Sequence, residues 1–308
     1  MENDAGIIAV NPVIYGSPMK TRKNLKNEVF EFDQPLTRCG LCGSGDLSLH
    51  HVDFKGIHIS RCGSCGVQFM NPQYTDGYLK RYYSQYAWEE VKELKLEESL
   101  QSGHNFYLSL VERARPQKGK LLDVGAGAGG LLMAAKERGW APTGYDVEGK
   151  ITRLAAKQWG LPYVFGDFTK IKWKPQSYDA ITMHQVLEHL KSPVSYLKSI
   201  NRLLKPGGVL FLGVPNIGSL SSRLKFFLEK ASLRKKKVGS YYDTNHHLWY
   251  FTPAPLIRIL SELGFETVHL RSGHQVRPGQ SHLKRLWMRN VTERLPWKSS
   301  FVLVAVKQ

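Results

Sequence analysis

Nowhere in its 308 residues does the chain hold eighteen apolar residues in a row, so no segment has the length of a membrane-crossing helix. The N-terminus lacks the basic, apolar and small-residue succession of an export leader, and the protein is therefore expected in the cytoplasm. Cysteine is scarce. The four present stand in two close pairs, which a reducing compartment disfavours as disulfides. Acids are also in short supply: 26 Asp and Glu against 43 Lys and Arg leave a formal charge of +17. The apolar fraction, 42%, is ordinary for a soluble globular protein. A chain of this length accommodates one large α/β domain and a small appendage.

The positive charge is unevenly placed. Residues 217–240 hold seven Lys and Arg against one Glu, and residues 271–298 repeat that ratio, so two segments supply twelve of the seventeen net charges. Such an excess attracts RNA, an anionic membrane surface or a phosphorylated substrate, or it is a solvated face that aids solubility.

The chain is organised around Lys120-Leu-Leu-Asp-Val-Gly-Ala-Gly-Ala-Gly-Gly130, where a short apolar strand runs into glycines at 125, 127, 129 and 130. The amphipathic stretch 131–138 follows, with Gly139 placed to cap it. A strand, a glycine turn and a helix form the first half of a βαβ unit, in which bare backbone lets a nucleotide-like ligand lie against the helix N-terminus. Gly125, Gly127 and Gly130 fit G-x-G-x-x-G, which serves a dinucleotide or S-adenosylmethionine equally. The neighbours separate the two. Asp123 stands two residues before the first glycine, unfavourable beside a pyrophosphate and suited to a ligand carrying an ammonium and a sulfonium. Asp146 ends a second strand about twenty residues on, where an acid can accept both ribose hydroxyls.

Gly166-Asp-Phe168, Tyr178-Asp-Ala-Ile-Thr-Met-His-Gln-Val-Leu-Glu-His-Leu190 and Leu204-Lys-Pro-Gly-Gly208 complete the series. Over residues 118–215 the chain resembles the class I S-adenosylmethionine-dependent methyltransferases. The resemblance implies that Asp123 and Gly125 meet the amino-acid end of the cofactor and Asp146 the ribose, with Gly127, Gly129 and Val147 also among the cofactor-binding residues. It places Asp167 at the adenine amino group with Phe168 stacked nearby; the alternative for Asp167 is a turn residue after a strand. The expected fold is a Rossmann-like α/β sheet of seven strands, near 120–124, 141–146, 161–165, 178–183, 208–214, 265–270 and 301–306. Helices are expected near 129–138, 148–159, 192–204 and 252–264, the last capped by Thr252 and stopped by Gly264.

Ahead of this domain, Cys39-Gly-Leu-Cys42 and Cys62-Gly-Ser-Cys65 match a four-thiolate zinc site, each knuckle presenting two sulfurs. Four thiolates close the coordination shell, so this metal is structural. His50 and His51 lie between the knuckles and are expected at the surface. Domain boundaries follow: an arm over 1–35, a zinc ribbon over 36–70, a helical cap over 71–118 and the methyltransferase domain over 119–308, with insertions at 215–251 and 271–299. The cap is rich in tyrosine, and Tyr78, Tyr82 and Tyr86 share a helix face that either packs on the catalytic domain or offers a hydroxyl to the site. A charged helix from Glu89 to about Gln101 follows. Each insertion carries an amphipathic basic stretch, 220–230 and 283–289, that suits an anionic membrane or the domain's own core. The ribbon and the catalytic domain are expected to hold separate cores.

Methyl transfer needs a positioned acceptor and, for a hydroxyl, a base. His184 at the tip of the fourth strand, His189 and His246, with His247 beside it, are the candidates; His184 could equally be a buried structural residue or touch the cofactor. Asn245-His-His-Leu-Trp-Tyr-Phe-Thr252 resembles a segment of a bacterial subgroup that also carries the cysteine knuckles and is linked to cell-surface glycan and secondary-metabolite pathways. The expected function is O-methylation of a small or lipid-linked saccharide or related metabolite, in the cytoplasm or peripheral to the inner membrane. An RNA-modifying methyltransferase is the second reading, and a non-catalytic cofactor-binding protein the third. No Asn/Asp-Pro-Pro-Tyr/Phe motif follows the fourth strand, which weighs against methylation of a base amino group.

Overall fold

The computed structural model describes residues 30–53, 55–83, 103–147, 150–231, 241–272 and 299–308. The arm before residue 30, Tyr86, the charged helix at 89–101 and most of the second insertion lie outside them.

Seven strands form the main sheet in the order β10-β11-β8-β7-β4-β5-β6. Strands β4 (Lys120–Val124), β5 (Ala141–Asp146), β6 (Tyr163–Phe165), β7 (Tyr178–His184) and β8 (Leu204–Pro215) run parallel. Strands β10 (Phe265–Ser272) and β11 (Ser300–Lys307) close one edge antiparallel. The inner strands are apolar on both sides because helices cover both faces. Alternation decides which side chain goes where. Leu121, Val209, Phe211, Val302 and Val304 pack with α1 (His104–Ala114) and α2 (Gly130–Glu137). Leu122, Leu210, Leu212, Phe301 and Leu303 pack on the opposite face with α4 (Pro193–Leu203) and α6 (Pro253–Glu262). Helix α3 (Lys150–Trp159) links β5 to β6.

Strand β8 begins earlier than expected, because Leu204 pairs with Tyr178 across a register shift before the regular ladder resumes at Val209. Thr252 holds the N-cap position of α6 without a side-chain cap bond; Pro253, with its φ already helical, starts the helix instead.

The cysteine segment builds a second, antiparallel sheet, β1 (Leu47–Val52), β2 (His58–Cys62) and β3 (Gln68–Met70). Its fourth strand is β9, Trp249–Tyr250, donated by the first insertion. Here the expectation of separate cores fails. Cys39, Ile59, Phe69 and Met70 of the ribbon belong to the same buried cluster as Leu122, Met183 and Leu197 of the main domain. Trp249 is the hinge of that union: its ring packs on Phe69 at 5.1 Å and its indole N–H donates to the Leu190 carbonyl at 2.7 Å. Residues 30–33 are docked too, with Phe32 stacked on Tyr74 at 5.1 Å and the Asp33 amide donating to the Gln73 carbonyl.

Candidate active site

Three glycines, Gly125, Gly127 and Gly129, all adopt positive φ as the chain turns from β4 into α2. At Gly125 the need is doubled, since a Cβ would collide with Cγ2 of Val186. The amides of Gly125 and Ala126 donate to the Tyr145 carbonyl at 2.8 and 3.0 Å, and the Gly127 amide donates to Asp146 Oδ2 at 2.7 Å. Asp146 at the tip of β5 is thus aimed at the glycine turn. Tyr163, at the start of β6, donates its hydroxyl to the Gly127 carbonyl at 3.1 Å and braces the turn from the far side. No motif marks Tyr163 in the sequence.

Asp123 is buried at the end of β4, where Thr182 Oγ1 donates to it at 2.7 Å. Burial pushes its carboxyl up to about 7; the Thr182 bond opposes that and the charge of Asp146 adds to it. Two acids, one of them buried without a cation, flank a glycine turn. A ligand with positive charge suits that donor set and a pyrophosphate does not. The residues therefore fit S-adenosylmethionine, whose ammonium and sulfonium supply the missing charge. Thr182 was legible only by strand parity, two residues before His184 on the same side of β7.

Two other positions read differently. Phe168 is fully buried, stacked on Tyr196 at 5.0 Å and packed against Tyr145 and Trp173 at 4.8 and 5.3 Å. It has no face open to an adenine, and the expectation of a stacking contact is corrected: this ring is core. Asp167 is exposed and accepts from the Thr169 amide and hydroxyl at 3.0 and 2.7 Å, the geometry of a turn residue. Those bonds hold its carboxyl below the usual range. Val147, which follows Asp146, is exposed.

The candidate bases fall into two places. His184 packs against α1, 4.7 Å from the Tyr107 ring, and lies so close to Gly213 that a Cβ there would collide with it. Burial pushes its pKa down to about 4. His189 and His246 are brought together elsewhere, their rings stacked at 4.8 Å, with His247 edge-on to both at 4.8 and 4.7 Å. His189 Nδ1 donates to the His246 carbonyl at 3.2 Å. Tyr82 of the cap stacks on His246 at 5.2 Å, and its hydroxyl is 3.0 Å from His246 Nδ1. Tyr82 therefore both packs and brings its hydroxyl to His246. The 3-10 turn that carries His189, Leu187–His189, directly follows Val186, the residue against Gly125. Burial holds His189 and His247 at about 3 and 2, so both are neutral at physiological pH.

In the ribbon, Cys39 and Cys65 sulfurs stand 3.8 Å apart and those of Cys42 and Cys62 3.6 Å apart, and the four lie within 4.8 Å of one another. A tetrahedral zinc with bonds of about 2.3 Å needs sulfur separations of roughly 3.8 Å, so the donor set fits. Neither intervening histidine joins it: His50 is exposed, and His51 stacks on Tyr242 at 5.3 Å and meets Phe226 at 5.4 Å.

Residues 96–270, more than half of the chain, match the family model described as a methyltransferase domain. The chain belongs to that family. Among curated relatives, a ubiquinone biosynthesis O-methyltransferase of Vibrio atlanticus is 32% identical over 163 residues, covering 49% of this chain and 66% of the relative. A protein of the same name from Leptothrix cholodnii is 28% identical over 178 residues, covering 55% of this chain and 72% of the relative. In each comparison the match leaves roughly a third of the relative uncovered. Among solved structures, the Burkholderia thailandensis 1,6-didemethyltoxoflavin-N1-methyltransferase, with bound 1,6-didemethyltoxoflavin and S-adenosylhomocysteine, superposes with a TM-score of 0.52 at 17% identity. It covers 85% of this chain and 99% of that one, a likeness of fold. The methyltransferase domain thus has the seven-stranded sheet of its family with the ribbon sheet fused to it.

Proposed function

We infer that the protein is an S-adenosylmethionine-dependent methyltransferase that methylates a hydroxyl of a small or lipid-linked acceptor, a saccharide or related metabolite. The observation that carries this reading is the pairing of buried Asp123 with Asp146 around a positive-φ glycine turn. When bound, the cofactor supplies a methyl carbon already activated by a sulfonium. Asp123 holds the ammonium end, Asp146 the ribose hydroxyls, and the turn lets the ligand lie against backbone. The choice of oxygen as acceptor is supported by the O-methyltransferase names of the curated relatives. Asp167 is kept as a contact at the adenine edge, where its exposure leaves it accessible.

The four-cysteine site is assigned to structural zinc, which holds the ribbon against the insertion. A lipid-linked acceptor is supported by α5 (Leu220–Lys230), where Leu220, Leu224 and Phe227 point outward, 39%, 59% and 63% exposed, beside exposed Arg223. Its inward face is Ser222 and Phe226 instead. No described helix is long and apolar enough to cross a membrane, so such contact is peripheral.

Calorimetry with S-adenosylmethionine and S-adenosylhomocysteine, against NAD as control, tests the cofactor assignment: saturable binding of the first two and none of the third is expected. Comparison of metabolites and glycolipids between a deletion strain and its parent then identifies the acceptor; a methyl group that disappears from nitrogen alone would overturn the assignment to oxygen.

A further inference from the structure

His189, His246 and His247 come from two segments nearly sixty residues apart in sequence, yet each offers a ring nitrogen within 4.8 Å of the others. Three half-buried imidazoles gather at one point beside a fourth group. Glu188 is fully buried, and among the described residues neither of its carboxylate oxygens has a hydrogen-bond partner. Its Oε1 lies 3.8 Å from His189 Nε2. An unpartnered buried carboxylate is costly unless a cation or a proton meets it.

The outer contacts have the form of a ligand shell. A metal-binding imidazole is normally oriented by a hydrogen bond from its other ring nitrogen to a carbonyl, a carboxylate or a polar neighbour. His189 Nδ1 donates to the His246 carbonyl, and His246 Nδ1 meets the Tyr82 hydroxyl at 3.0 Å with Asp243 Oδ1 at 3.9 Å. The backbone is pinned as well, the Leu248 amide donating to the Glu188 carbonyl at 2.8 Å. We propose that His189, His246 and His247 form a binding site for a divalent transition-metal ion, distinct from the four-cysteine site, with Glu188 beside His189 adding negative charge. Three imidazoles suit zinc, cobalt, nickel or ferrous iron rather than magnesium or calcium, which favour oxygen ligands. Ligands around a tetrahedral ion at about 2.0–2.1 Å stand roughly 3.3 Å apart, so modest ring rotations close the present spacing.

The site does not depend on methyl transfer, and ion binding is measured without cofactor or acceptor. Full-length protein whose cysteine site is already loaded with zinc is titrated with cobalt(II) and followed by absorption and calorimetry. One further equivalent is expected, with a d–d spectrum that lacks the thiolate charge-transfer band of a cysteine site. His246→Ala and His247→Ala should remove it, while exposed His50→Ala keeps it. Tyr82→Phe removes only the hydroxyl beside His246 Nδ1 and should weaken cobalt binding by about ten- to a hundredfold in a protein that still folds. Absence of the second equivalent from folded wild-type protein, or equal affinity in wild type and the His247→Ala variant, would overturn the proposal.

Discussion

Trp249 lies against Gly40, the residue after the first cysteine: a Cβ at position 40 would stand 2.8 Å from the indole. One contact joins the cysteine knuckle to the strand that follows the histidine cluster, so a metal bound by the four cysteines would be coupled to order at the histidines. Cys62→Ser should therefore lower the stability of the whole protein. Differential scanning calorimetry should show one transition moving down on mutation or chelation, and two transitions with the upper one unmoved would mean the cores are independent. Trp249→Ala should cost about 3–5 kcal/mol through the cavity it leaves.

Asp146→Ala should weaken S-adenosylmethionine binding about ten- to a hundredfold, from loss of charged hydrogen bonds of roughly 1.5–3 kcal/mol. Asp146→Asn keeps an acceptor for the Gly127 amide and should lose less. Equal calorimetric affinity in Asp146→Ala and wild type would remove Asp146 from the site.

The sheet was legible because both of its signals are local: apolar strand cores and the glycine turn sit where the periodicity puts them. The fusion of ribbon and domain was not, because β9 is two residues long and its partner β3 lies some 180 residues earlier. Asp123 and Asp146 could be named from spacing, and Thr182 only by strand parity; Tyr163 and Val186 could not, since each acts through a neighbour brought up by the fold. Phe168 misled for a related reason. An aromatic after Gly-Asp reads as a ligand platform, while Tyr145, Trp173 and Tyr196, which enclose it, come from three other segments. His189 and His246 were each visible as candidates, but only the fold shows that they stack while His184 stands apart.

Cofactor affinity should depend on pH through Asp123. Its carboxyl titrates near 7 in the free protein, and a bound ammonium favours the ionised form, so affinity should fall by up to about tenfold per pH unit below 7. The same shift sets the sign for stability: a carboxyl raised from its unfolded value near 4 holds its proton longer when folded, so its contribution is lost as pH climbs from about 4 through 7. Asp123→Asn should flatten both profiles. A binding profile that stays as steep in that variant would assign the titration to another group.

If α5 meets an anionic membrane through its outward apolar residues, the protein should sediment with phosphatidylglycerol vesicles in a salt-dependent way. Leu224→Ser with Phe227→Ser should reduce that, as should charge reversal at Lys235, Lys236 and Lys237, which lie outside the described residues. Tight binding to structured RNA with no sedimentation at low salt would favour the RNA-modification reading instead.

The closest approach in the turn gives the last test. Gly125→Ala faces two penalties: a φ of 81° costs an L-residue about 1–2 kcal/mol, and the collision with Val186 adds about 1–3 kcal/mol of overpacking. Adding Val186→Ala removes the collision and leaves the backbone cost, so the double variant should recover part of the lost stability. The turn's φ belongs to the ligand surface, however, and the pairing leaves it strained. Cofactor affinity should therefore stay low in the double variant even where its melting temperature recovers. Full recovery of both would show that Gly125 is needed only to clear Val186, and that the left-handed turn has no part in holding the cofactor.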